Sequence, residues 1–407
     1  MKLVLVLLGL FVQMACNRGT PAPHAAPASE AAQIRAAATD TLPISGADPA
    51  VRPAFLAARK QGVRAGLDSL TALAARDEGL RMRGHELAHA LGRFAMSEWR
   101  DLAVLRECTP VFQSGCFHGA MEGFFLHGGT VDRASVGGIC GARPEPGRPG
   151  YERLECWHGL GHGLMVRFGG DIGQVLPLCD VLQTPTGRRE CQDGAFMERA
   201  IRAVGAESVN AGEGPAMGHH GSHGGGAKDG HGSHGGDPAP SSSAPLSHAE
   251  LQRLCGAIDA RYQPSCWAYQ PIALLLVHGM APAAVLDACD QAPAAAVRDC
   301  YQGFGKQYLG AMDGDAGAMI DACRQGNRAY VADCLLGGVE YFTDLEWTIE
   351  PGIAFCAQVP ADAKTRCYGL IGRRLGLIHP EPRRAAAACR RVEAAFVLAC
   401  LAGLRDG

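Results

Sequence analysis

The chain is predicted to fold as an all-α protein, an α-solenoid of helix-pair repeats, and three observations lead there. Its cysteines fall into local couples recurring at a fixed interval: first members at 255, 289, 323, 356 and 389 are spaced by 34, 34, 33 and 33 residues. Around them apolar residues repeat every three or four positions, the period of a helix with one buried face. Each unit also carries the same punctuation: a short stretch ending in cysteine (PAAVLDAC, DAGAMIDAC, IEPGIAFC), a connector, then a longer apolar stretch opened by the second cysteine. A period of about 33–34 residues fits one helix pair, and stacked pairs bury together what none can bury alone. Roughly nine such pairs are expected.

Taken in order, the chain opens with MKLVLVLLGLFVQMAC, one lysine followed by an apolar run from Leu3 to Val12. That run is too short for a bilayer span and reads as an export signal over residues 1–16. It resembles a bacterial lipoprotein signal, with Ala15 before Cys16 but Gln13 where leucine or valine is usual. The resemblance implies lipidation of Cys16 and anchoring to a membrane; simple secretion is the alternative. Residues 17–50, rich in Ala and Pro, read as a flexible spacer. Helical periodicity starts at Pro53, and residues 51–205 form the N-terminal repeats. Residues 206–247 are an insertion whose middle, AMGHHGSHGGGAKDGHGSHGGDPAPSSSAP, cannot bury a core. Its histidines (His219, His220, His223, His231, His234) make it either a weak sponge for divalent ions or a neutral low-complexity expansion. The C-terminal repeats occupy residues 248–407.

Of 17 cysteines, Cys16 stands apart and sixteen remain. These fall into eight couples. Cys108 goes with Cys116, Cys140 with Cys156, Cys179 with Cys191 and Cys255 with Cys266. Cys289 goes with Cys300, Cys323 with Cys334, Cys356 with Cys367 and Cys389 with Cys400. An even number outside the signal fits an oxidising compartment, hence an exported protein of the periplasm or outer membrane. Eleven residues of unbroken helix would hold a couple's cysteines roughly 16 Å apart, whereas a disulfide needs Cα atoms within about 7 Å. If bonded, each couple makes its unit an αα-hairpin stapled at the bend. Connectors with Pro or Gly agree (QAPAAAVR, QVPADAKT, VLQTPTGR); the last, RRVEAAFVLA, has no breaker.

This architecture resembles the tetratricopeptide and Sel1-like repeat families, especially secreted cysteine-rich Sel1-like proteins, over roughly residues 65–407. The Trp-Leu-Gly signature of tetratricopeptides is absent, and the cysteines lie farther apart than in Sel1-like proteins. The resemblance implies recruitment of a protein partner on a concave face. Hydrophobic residues at 47%, charged residues at 19% and a net charge of −3 describe a folded chain with no basic excess for nucleic acid.

One stretch suggests chemistry. His85-Glu86-Leu87-Ala88-His89 matches HExxH, in which two histidines on one helix face share a zinc ion and the glutamate serves as base. With Arg83 placed at the second cysteine's position, His85 and His89 align with His118 and Glu122 after Cys116, and with His158 and His162 after Cys156. Asp193 and Met197 follow after Cys191, with Glu198 one further. The HExxH then becomes one rung of a ladder. Later units hold Ala268, Gln302, Leu336 and Gly369 instead, so a purely structural need would not explain the histidines. Helices stacked about 8–10 Å apart bring such rungs together. His85, His89, His118 and Glu122 are expected to close one metal site and His158 and His162 a second, for zinc, copper or iron.

The expected activity is therefore transition-metal binding. The alternatives are a non-catalytic interaction scaffold, or a metal-dependent enzyme, in the first instance a zinc hydrolase with Glu86 as base. On the structural side, Gly119, Gly123, Gly159 and Gly163 fit close helix packing, and His127 and His278 fit helix C-caps.

Overall fold

The computed structural model describes residues 49–141, 150–204, 249–250, 253–345, 347–379 and 381–406, and these contain no strand. The signal with Cys16, nearly all of the spacer and the insertion with its five histidines lie outside the described residues. No described helix is long and apolar enough to cross a membrane.

Helices α1 (Arg52–Gln61), α2 (Val63–Ala74) and the short α3 (Glu78–Met82) lead into α4 (Gly84–Trp99), which carries HELAH. There follow α5 (Gly115–Leu126), α6 (Arg133–Gly138), α7 (Tyr151–Arg167), α8 (Ile172–Cys179) and α9 (Pro185–Ala203). Beyond the insertion come α10 (Gln263–Val277), α11 (Pro282–Asp290), α12 (Val297–Ala311), α13 (Ala316–Cys323) and α14 (Val331–Asp344). The array ends with α15 (Glu350–Gln358), α16 (Ala361–Ile378), α17 (Pro382–Ala388) and α18 (Val397–Asp406). The long helices α4, α5, α7, α9, α10, α12, α14, α16 and α18 stack in chain order, each on the next. The short ones sit outside them. Local chemistry sets their starts: Asp171 and Asp315 accept backbone N–H groups at the caps of α8 and α13, and α9, α10 and α11 open on proline.

All eight cysteine couples are bonded, with Cα–Cα distances of 5.5–5.8 Å. In the N-terminal half Cys108 bonds to Cys116, Cys140 to Cys156 and Cys179 to Cys191. In the C-terminal half Cys255 bonds to Cys266, Cys289 to Cys300, Cys323 to Cys334, Cys356 to Cys367 and Cys389 to Cys400. The units whose first cysteine closes a short helix, at Cys179, Cys289, Cys323, Cys356 and Cys389, are thus hairpins pinned at the bend; Cys108 instead follows a 3₁₀ helix and Cys255 lies in a turn. The connector without Pro or Gly turns by another device: two 3₁₀ turns, Cys389–Arg391 and Ala394–Phe396, flank the extended Val392 and Glu393.

Glycine sets the spacing of the stack. The third residue after the second cysteine abuts a backbone carbonyl of the preceding long helix: a Cβ on Gly194, Gly303 or Gly337 would lie 2.0, 1.9 or 2.1 Å from the carbonyl oxygen of His158, Ala268 or Gln302. Gly303→Ala is expected to cost about 1–3 kcal/mol, because the backbones must separate to admit the methyl. A thermal melt reads this directly, and an unchanged midpoint would contradict the contact.

The same contacts correct the register assumed for HELAH. Gly119, third after Cys116, abuts the carbonyl of His89. For Gly194, Gly303, Gly337 and Gly403 the abutted residue is second after its own cysteine, so the position in α4 equivalent to a cysteine is Leu87, not Arg83. Gly92 agrees: it approaches the Cys116 carbonyl just as Gly161 approaches that of Cys191. The shift is one helical turn, which preserves the face. His89 is therefore level with His118 and His158, and His85 sits one turn before them.

The array curls until its halves meet. Trp347, after α14, stacks on Tyr151 of α7 with centroids 5.1 Å apart and donates Nε1–H to Glu155 at 3.0 Å. Arg81 pairs with Asp313 at 3.2 Å. The inner face of the long helices consequently walls a cavity of about 380 Å³.

Candidate metal centre

Three helices deliver five imidazoles to one end of this cavity: His85 and His89 from α4, His118 from α5, His158 and His162 from α7. The four from His89 onward are at least nine-tenths buried. Neighbouring rings lie 4.7–6.1 Å apart by centroid, with His118 stacked on His162 at 4.7 Å. Burial, then the neighbouring imidazoles, pushes His85 down to about 3 and holds His118 and His158 well below the ordinary histidine range. These three rings are neutral at physiological pH, so each offers one lone pair.

The partners around them decide where the lone pairs point. His85 Nδ1 is 2.8 Å from the Phe112 carbonyl, which can only accept, so the proton is on Nδ1 and Nε2 is bare. His89 Nδ1 faces the Glu122 carboxylate at 3.3 Å, and with its proton on that side its Nε2 is bare too. Yet these two Nε2 atoms are 3.2 Å apart, and His89 Nε2 is 3.1 Å from His118 Nδ1. Two lone pairs at that distance repel unless a cation lies among them. Around a tetrahedral ion with bonds of about 2.0–2.1 Å, ligand nitrogens stand roughly 3.3–3.4 Å apart. The observed spacing is close to that.

Each of the other histidines likewise has one acid on the next helix. His118 Nε2 faces Glu155 at 3.8 Å, His158 Nδ1 faces Glu190 at 3.8 Å, and His162 Nδ1 faces Glu198 at 3.2 Å. Carboxylates behind imidazoles are the usual means of orienting metal-binding histidines. They differ in charge balance. Against the cost of burial, His89 and Arg93 hold Glu122 well below the usual carboxylate range; Arg93 reaches it at 2.6 Å. His162 and Arg202 lower Glu198 in the same direction, Arg202 at 2.7 Å. Glu155 and Glu190 have no arginine so close. Burial, with Asp344 and Asp193 respectively adding to it, pushes them up to about 7 and about 8.

No family model, curated protein or solved structure matches the chain. The residues themselves form three groups able to hold an ion: His85, His89 and His118; His118, His158 and His162; Glu122, His162 and Glu198, with ligand atoms in each group within 4.8 Å of one another. The Nε2 atoms of His118 and His162 are buried with no hydrogen-bond partner, a costly arrangement in a finished apolar core. The donor set and these orphaned nitrogens fit a transition-metal ion.

All six expected ligands thus come together. Glu86 does not join them: its half-exposed side chain faces Arg83 at 3.6 Å, and it is not among the residues lining the cavity. Gly119, Gly123, Gly159 and Gly163 pack against neighbouring helices, as expected. His127 and His278 occupy the C-caps of α5 and α10. Sequence reasoning missed Glu155, Glu190 and the two arginines. A signal for the first two existed: an acid directly before the second cysteine (Glu155, Glu190, Asp299, Asp333) lies on the same helix face as the second residue after it.

Proposed function

We propose that the protein is an exported α-repeat protein that binds a transition-metal ion, zinc, copper or iron, through its N-terminal long helices. His85 Nε2, His89 Nε2 and His118 Nδ1 hold the ion, with His158 and His162 beside them. The single observation carrying this reading is the approach of His85 Nε2 and His89 Nε2 to 3.2 Å, with the Phe112 carbonyl taking the His85 Nδ1 proton and the Glu122 carboxylate facing His89 Nδ1. Glu122 then acts as an orienting carboxylate neutralised by Arg93, and Glu198 likewise behind His162.

His85, His118 and His158 line the cavity, so the centre opens onto a chamber. The chamber's size suits a small molecule and not a protein segment, which favours the metal reading over a scaffold with a partner on the concave face. A bound ion of this kind supplies a Lewis acid. The hydrolase reading through Glu86 gains nothing from that residue's position. Eight disulfides support an oxidising compartment, and lipidation at Cys16 is the proposed anchor.

Mature protein purified from a periplasm should contain metal by mass spectrometry. Changing His85, His89, His158 and His162 to alanine should remove it, while deleting residues 216–237 should not. Loss on the deletion alone would place all binding in the insertion and refute the centre. Glu122→Gln is expected to weaken affinity about 10–100-fold, as for other orienting partners; a chelator competition titration measures this.

A further inference from the structure

The three groups able to hold an ion compete for ligands. The first and second both need His118, and the second and third both need His162. A neutral imidazole has one lone pair, and the first ion takes that of His118. Only the third group, Glu122, His162 and Glu198, can therefore be filled together with the first. Its members come from consecutive long helices, α5, α7 and α9, and are 0%, 1% and 1% exposed. None of them lines the cavity, whereas His85 and His118 do.

The two carboxylates are prepared for a cation. Arg93 donates to Oε2 of Glu122 at 2.6 Å and Arg202 to Oε1 of Glu198 at 2.7 Å. Each arginine thus holds one oxygen of its carboxylate and leaves the other. Glu198 Oε2 stands 3.2 Å from His162 Nδ1. Glu122 Oε1 faces His89 Nδ1 at 3.3 Å yet has no hydrogen bond, on a side chain wholly out of solvent. A buried carboxylate oxygen in that state is costly. A hydrogen bond from His162 to Glu198 would explain the 3.2 Å spacing but leaves Glu122 as it is. One ion explains both. Bonds of about 2.0–2.2 Å place the ligands of a tetrahedral ion roughly 3.3–3.6 Å apart, and the ligand atoms of this group already lie within 4.8 Å of one another.

We propose that Glu122, His162 and Glu198 hold a second transition-metal ion, an enclosed cross-tie between α5, α7 and α9 next to the chamber-facing centre. The proposal rests on the first ion's site through His118, whose lone pair is spent there. One imidazole with two carboxylates suits zinc, iron or manganese. Closed sites are structural, while a catalytic site keeps an open position. The inner ion accordingly braces the helices, and the ion at His85, His89 and His118 meets whatever enters the chamber. Enclosure also makes the inner ion slow to exchange, so brief chelation reaches the chamber-facing ion alone.

The test is zinc content by mass spectrometry on the full chain, stripped by prolonged dialysis against chelator, reloaded with Zn²⁺ and desalted. The insertion's histidines contribute equally to every variant, so differences are read. Glu198→Gln changes a residue of the third group alone. It is expected to lose one equivalent and H85A/H89A a different one, so that combining the three changes loses two. If both variants and their combination lose the same single equivalent, or Glu198→Gln loses none, the second ion is refuted while the first survives. If H85A/H89A loses none, the metal reading itself falls. Far-UV circular dichroism establishes folding. Should Glu198→Gln not fold, brief chelation of the natural chain and of H85A/H89A decides: one equivalent retained by both supports the inner ion, and none retained overturns it.

Discussion

Replacing His89 with alanine is expected to abolish the stabilisation that added zinc gives the folded protein. His89 is the hinge of the cluster: its Nε2 lies 3.2 Å from His85 and 3.1 Å from His118, and its Nδ1 faces Glu122. An ion that binds the folded chain and not the unfolded one stabilises it by about 4 kcal/mol at a thousand times its dissociation constant. The natural chain should therefore melt several degrees higher with Zn²⁺ than after chelation, and His89→Ala should melt at the same temperature in both. The comparison separates metal binding from a packing role. If His89 only filled space, the variant would be less stable, but neither chain would respond to zinc. A zinc response surviving in His89→Ala would sink the assignment of this residue.

Reduction should have the largest effect on the fold. Closing a loop of about fifteen residues with a disulfide is worth roughly 3 kcal/mol in the chain-entropy model, and this chain has eight closures spanning 8 to 16 residues. Typical net stability is only about 5–15 kcal/mol. Full reduction is thus expected to unfold the array at room temperature. Helical circular dichroism at 222 nm, with and without dithiothreitol, reads the outcome. Helicity that persists with a melting point moved by only a few degrees would mean that packing of the long helices suffices and the staples are incidental.

Much of this architecture is legible in the sequence because its determinants are local. Period, cysteine couples and helix-ending cysteines each depend on residues within one unit, and so does the turn between them. The bond from Cys323 to Cys334, for example, follows from eleven residues that both start and finish the bend. The register of α4 is not local. It carries no cysteine, so the residues HELAH alone do not say which position matches Cys116. What fixes it is Gly92 against the Cys116 carbonyl and Gly119 against that of His89, contacts between helices that only stacking reveals. An error of one turn is harmless to the face but not to the roles. It sets His85 level with His118, whereas His89 is level with it and His85 lies below. Arg93 then falls beside Glu122, a pairing the assumed alignment hides. Glu155 and Glu190 are hidden for a different reason: the histidines mark the positions after each cysteine, and these acids stand at the one before it. Closure of the curve is out of the sequence's reach altogether, since Trp347 and Tyr151 are joined by no pattern in the chain.

That closure limits how this protein can change length. An open repeat array gains or loses a unit at little cost, since every end resembles every other. Here, removing one 33-residue unit would pull Trp347 out of register with Tyr151 and take the indole N–H away from Glu155, so the number of units becomes as much a part of the molecule's identity as any single side chain.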